Sequence, residues 1–153
     1  MKKTTKILSL ALIAVMLFAL TACFKQEGTI GAVIDQKEVD EVVVTLEGFD
    51  SEQYTVNGAT KDAVFTFILN NQKLTEDEER IATVREHLET INAVNVTLHT
   101  SEGNDVLIVV DKDTGDFVIG YYTAEGGIDY RYASPEGEGF DLEAIMEIVK
   151  QYQ

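Results

Sequence analysis

Cysteine, proline and tryptophan are almost absent from this chain of 153 residues, which holds one of the first, one of the second and none of the third. With Cys23 alone no intrachain disulfide can form, so packing must hold the fold. Positive charge is scarce as well. Lys2, Lys3 and Lys6 fall in the first 22 residues, which carry no acid, so the other 131 residues set nine basic against 27 acidic side chains, a formal charge of −18. A surface that negative repels phosphate backbones, and no Lys/Arg cluster relieves it locally, which excludes nucleic acid as a partner. Cationic ligands remain open to it. A chain of 131 residues buries about two-thirds of the surface it exposes when unfolded, enough for one domain.

The motifs of several chemistries are missing too. Ser51, Ser101 and Ser134 sit in turn-like sequence, none within Gly-x-Ser-x-Gly, and no Ser-x-x-Lys occurs. No Gly-x-x-x-x-Gly-Lys is present to cradle phosphate. The two histidines, His87 and His99, have no ligand-type neighbour at metal-binding spacing. Nothing here marks an enzyme or a resident cofactor, and none is expected.

What is present begins at the N-terminus. A basic start is followed by an apolar run at 7–20 (ILSLALIAVMLFAL), too short for a comfortable permanent span and of the length of a secretory signal. Leu20, Thr21, Ala22 and Cys23 follow it. This order, a leucine, two small residues and a cysteine, resembles the lipobox of bacterial lipoprotein signal peptides, over residues 1–23 only. The resemblance implies that the Cys23 thiol receives a diacylglycerol, that signal peptidase II cuts before it, and that Cys23 becomes the mature N-terminus. Two acyl chains hold a protein stably where one holds it marginally. The implied organisation is a signal peptide at 1–22, a lipidated N-terminus and tether at 23–36, and a single domain at 37–153 on the extracytoplasmic face of a bacterial membrane.

Within that domain, 41–47 and 52–56 alternate as half-buried strands around a turn at 48–51. The run 60–71 mixes helical spacing with strand formers and is expected as helix. Thr75 and Glu78 form a capping box before the stripe Ile81, Val84, Leu88, Ile91, so a helix is expected from residue 75 to about 92. Strands follow at 94–99, 105–110, 117–122 and 128–133, separated by turn residues. A last helix is capped by Asp141, with Leu142, Ile145, Val149 and Tyr152 inward. The fold class is α+β, a mostly antiparallel sheet with a C-terminal meander and helices on one face.

Two surfaces invite a ligand. Asp111, Asp113 and Asp116 crowd one turn and resemble a cation loop with Gly115 and Asp116 transposed relative to the calcium-binding order; the tight turn itself explains the same residues. Tyr130 and Tyr132 share a face in strand alternation, a candidate aromatic platform for a glycan, peptide or apolar ligand, while Tyr121 and Tyr122 must point to opposite sides. The functional expectation is a lipid-anchored acidic binding or interaction module. The alternatives are a carboxylate hydrolase acting on envelope material and a structural accessory of a membrane complex.

Overall fold

The computed structural model describes residues 28–46, 52–88 and 93–151. The lipobox-like segment, the turn at 48–51 and the expected helix end near residue 92 lie outside them. Strands β1 (Val39–Leu46), β2 (Glu52–Asn57), β3 (Ala93–Thr100), β4 (Val106–Asp111), β5 (Phe117–Tyr122) and β6 (Ile128–Ala133) form one sheet in the order β2-β1-β3-β4-β5-β6. Every neighbouring pair is antiparallel. The chain is thus α+β with an antiparallel sheet whose C-terminal strands run as a meander.

The helices are α1 (Ile30–Val33), α2 (Gly58–Val64), which runs into a π-helical turn (Phe65–Leu69), α3 (Glu78–Leu88) and α4 (Leu142–Gln151). The ambiguous run after residue 60 is helical because Val64, Phe65, Ile68 and Leu69 all reach the core from one side. The Asn70 amide donating to the Phe65 carbonyl at 2.9 Å closes the wide turn. Helix α4 starts as expected, with the Ala144 amide donating to Asp141 Oδ1 at 3.0 Å.

Three arrangements differ from expectation. The cap of α3 is Asp77, whose Oδ1 accepts the Arg80 amide at 2.9 Å. Thr75 is drawn away, its amide and carbonyl paired with Ala133 in an isolated bridge. Residues 28–36, expected in the tether, belong to the folded body: Ile30 is fully buried and its amide donates to the Gln72 carbonyl at 3.0 Å. Gly31 allows close packing here, since a Cβ on it would lie 2.8 Å from Asn70 Cα.

The third difference is the placement of α3. Helices α1, α2 with its π turn, and α4 cover one face, over Val42, Val44, Val96, Leu98, Ile108, Phe117 and Ile119. Helix α3 lies on the other face, where Ile81, Val84 and Leu88 pack with Ala93, Val118 and Ala133. The cause is visible in β4 and β5, whose apolar residues do not alternate: Val106, Leu107 and Ile108 are all buried, as are Phe117, Val118 and Ile119. Strands apolar on both sides need cover on both sides.

Candidate functional site

Edge strand β6 carries the predicted aromatic pair, and a β-bulge separates its members. Ile119 is opposite Tyr132 and the next residue, Gly120, is opposite Tyr130, so Arg131 is the extra residue. Strict alternation put Tyr130 and Tyr132 on one face; the bulge turns them to opposite faces. Tyr132 joins the larger core edge-to-face with Tyr121, ring centroids 6.5 Å apart. Tyr130 joins the smaller core, with Arg85 Cζ 4.6 Å over its ring. Gly120 permits this, because a Cβ there would clash with Ile128 and come within 3.0 Å of Tyr130 Cδ1. Burial pushes the Tyr121 hydroxyl pKa up and Tyr132 adds to it, with Arg131 opposing.

The outward side of β6 still gathers both tyrosines. Glu76, Glu78, Ile81, Tyr130, Arg131 and Tyr132 line an open recess of about 370 Å³ along this edge. The Arg131 guanidinium lies 4.8 Å from the Tyr121 ring centre and donates from Nε to Asp129 Oδ2 at 2.8 Å. The recess therefore offers two aromatic bodies, two exposed carboxylates and one guanidinium already bound to an acid.

The three aspartates of the candidate cation loop do not converge. Asp111 is buried, and its carboxylate accepts the Asp113 amide at 2.7 Å, the Thr114 amide at 3.3 Å and the Thr114 hydroxyl at 2.9 Å. Burial alone would raise its pKa, but those donors, with His87 nearby, outweigh it and bring the carboxyl below its ordinary value. Asp116 faces away to α3, its Oδ1 2.6 Å from Arg80 Nη2. Among the described residues no group of three or more His, Cys, Asp or Glu side chains is placed to hold a metal ion. The cation reading of Asp111, Asp113 and Asp116 gives way to a turn that holds itself, with Gly115 at φ 75° closing it.

Sequence reasoning missed the clamp that Asp116 joins. Arg80 donates from Nε to the Ser134 carbonyl at 2.9 Å and from Nη2 to Ser134 Oγ at 3.3 Å, and Ser134 Oγ donates to Asp116 Oδ1 at 3.0 Å. The Phe117 amide donates to the same hydroxyl at 3.2 Å. Ser134 is fully buried and engaged on every side, which suits a strut between α3 and the sheet rather than a nucleophile. No spacing in the sequence announces three residues so far apart. The bulge did have a signal, a glycine in the middle of the FVIGYY strand.

His99 Nδ1 lies 2.7 Å from Asp105 Oδ2, and Asp105 Oδ1 accepts the Thr100 amide at 3.1 Å, so this pair closes the β3–β4 hairpin. Every side-chain nitrogen and oxygen buried among the described residues has a partner within the fold. No protein-family model matches the chain, and no curated protein or solved structure matches it.

Proposed function

We propose that this protein is an extracytoplasmic lipoprotein, held to a bacterial membrane through Cys23, whose acidic α+β domain is a noncatalytic binding module. The observation that carries the anchor is the lipobox-like order at 20–23 directly behind a basic start and an apolar run. The folded body begins by Gly28, with four residues between it and Cys23, which is the order a lipidated N-terminus requires. The binding surface is the β6 edge, where Tyr130 and Tyr132 flank a recess bordered by Glu76 and Glu78. Flat aromatic area beside carboxylates suits a ligand with an apolar body and a positive charge, such as a basic peptide or an amino sugar.

The recess does set two carboxylates beside tyrosines, which is what the hydrolase alternative requires. Glu76 and Glu78 are both exposed, whereas a carboxyl that serves as general acid is held in a desolvated position. Binding is the better reading. Replacing Cys23 with Ala should move the protein from the membrane fraction to the soluble one, and the wild-type N-terminal peptide should carry a diacylglycerol by mass spectrometry. Membrane retention of the Cys23→Ala chain, or an unmodified N-terminal peptide in the wild type, ends the anchor claim.

A further inference from the structure

Phe67 stands 68% exposed in the π-helical turn, while its neighbour Phe65 is fully buried. It lies inside the run 63–75 (AVFTFILNNQKLT), thirteen residues without an acid in a chain with 27 of them. Asp62 just before this stretch accepts at Oδ1 from Gln36 Nε2 at 2.8 Å, Lys73 within it has Glu138 Oε1 2.6 Å from its Nζ, and Glu76 just after it is exposed. Glu143 and Glu147 are exposed on α4, the helix that packs beside α2. An exposed phenylalanine in the least acidic stretch of a strongly acidic domain has no role in the core.

The N-terminal segment joins the fold at this same corner. The Gly28 carbonyl accepts the Leu74 amide at 2.9 Å, Thr29 bridges to Lys73, the Ile30 amide donates to the Gln72 carbonyl, and Gly31 abuts Asn70. Asn70 is less than one helical turn beyond Phe67, about 5 Å along the axis. Cys23 precedes Gly28 by five residues, a reach of at most about 18 Å even when fully extended. A compact domain of this size has a radius of gyration of roughly 14 Å and so a diameter of roughly 36 Å. The tether is therefore shorter than the body it holds, and a lipidated Cys23 keeps the Phe67 corner close to the headgroups.

We propose that the anchored domain rests on the bilayer through this corner, with the Phe67 ring inserted at the boundary between headgroups and acyl chains. This rests on the lipoprotein reading above. Phenylalanine is among the residues that seat surface-bound elements at that depth, and the acid-free run 63–75 brings no negative charge of its own to the headgroups, which limits repulsion by anionic lipid over a Debye length of about 8 Å. The acyl chains supply the affinity; Phe67 sets the orientation.

Tryptophan is absent from the chain, so Phe67→Trp in the mature lipidated protein places a single reporter at an exposed site. Tyr122→Trp, on the sheet face away from α2, is the control. In phosphatidylcholine vesicles the Phe67→Trp indole should emit at shorter wavelength than in the lipid-free Cys23→Ala background and lose intensity when the acyl chains carry bromine. The Tyr122→Trp indole should do neither. A Phe67→Trp protein that floats with vesicles and carries lipid by mass spectrometry, yet emits unshifted and unquenched, overturns the orientation and leaves the anchor standing. A wild-type chain that neither carries lipid nor floats overturns both.

Discussion

The two faces of the sheet are built on different terms. One is covered by α1, α2 with its π turn and α4, and its core holds the largest fully buried side chains, Phe65 and Phe117 among them. The other has a single helix among the described residues, α3, over β4, β5 and β6, with a core of six buried residues. Over β2, β1 and β3 beyond Ala93, no described helix covers that second face, which presents Gln53, Thr55, Thr45, Asn95, Thr97 and His99. An antiparallel sheet tolerates this, because one buried face suffices to fix its register. Stability is therefore concentrated on the first face, and the second is where the chain can carry polar and aromatic surface.

The largest effect should come from the first face. Phe117→Ala removes a fully buried ring packed edge-to-face on Phe140, centroids 5.6 Å apart, and should cost about 3–5 kcal/mol in urea unfolding. Leu88→Ala, at the end of α3 and in the smaller core, should fall near the low end of its class, about 2 kcal/mol. Equal losses at the two sites would break the asymmetry, and a larger loss at Leu88 would reverse it.

The same contrast explains what could be read from the sequence. Where one face is solvated the pattern is plain: Val42 and Val44 against Glu41 and Thr45, Val96 and Leu98 against Asn95 and Thr97, and both strands were legible. The capped helix at Asp141 and the turn at Gly115 were legible for the same reason, being set by neighbours in the chain. The runs DVLIVV and FVIG lacked alternation, and that lack itself meant cover on both faces, which places α3 opposite the other helices. The aromatic pair failed because a bulge changes the parity of every residue beyond it. Asp116 looked like a cation ligand because its partners Arg80 and Ser134 are brought to it only by the tertiary fold.

A middling effect is expected where α3 and the turn at Asp111 meet. The Asp111 carboxyl is held below its ordinary value of 3.8 by the donors around it, so the folded state binds a proton less readily than the unfolded one. Its contribution is complete above about pH 4 and is lost as pH falls through the lower, folded pKa. Asp111→Asn should lower stability by about 1–3 kcal/mol at pH 7, the range for charge-assisted hydrogen bonds. The gap from wild type should narrow below pH 4. A gap that stays constant from pH 7 to pH 3 would show that the charge plays no part.

The smallest effect belongs to the open half of the second face. Thr97 lies in a row across three strands, opposite Val43 on β1 and Leu107 on β4. Val43 and Leu107 are buried there although no described helix lies above the β1 side. Thr97→Val keeps the β-branched shape and makes the row apolar from Val43 through to Leu107, trading a hydroxyl for a methyl. If the hydroxyl meets only solvent, unfolding free energy should move by no more than about 0.5 kcal/mol in either direction. A loss above about 1 kcal/mol, the size of one net hydrogen bond, would mean that the hydroxyl is structurally engaged, and the division between a packed face and a solvated one would then stop short of β3.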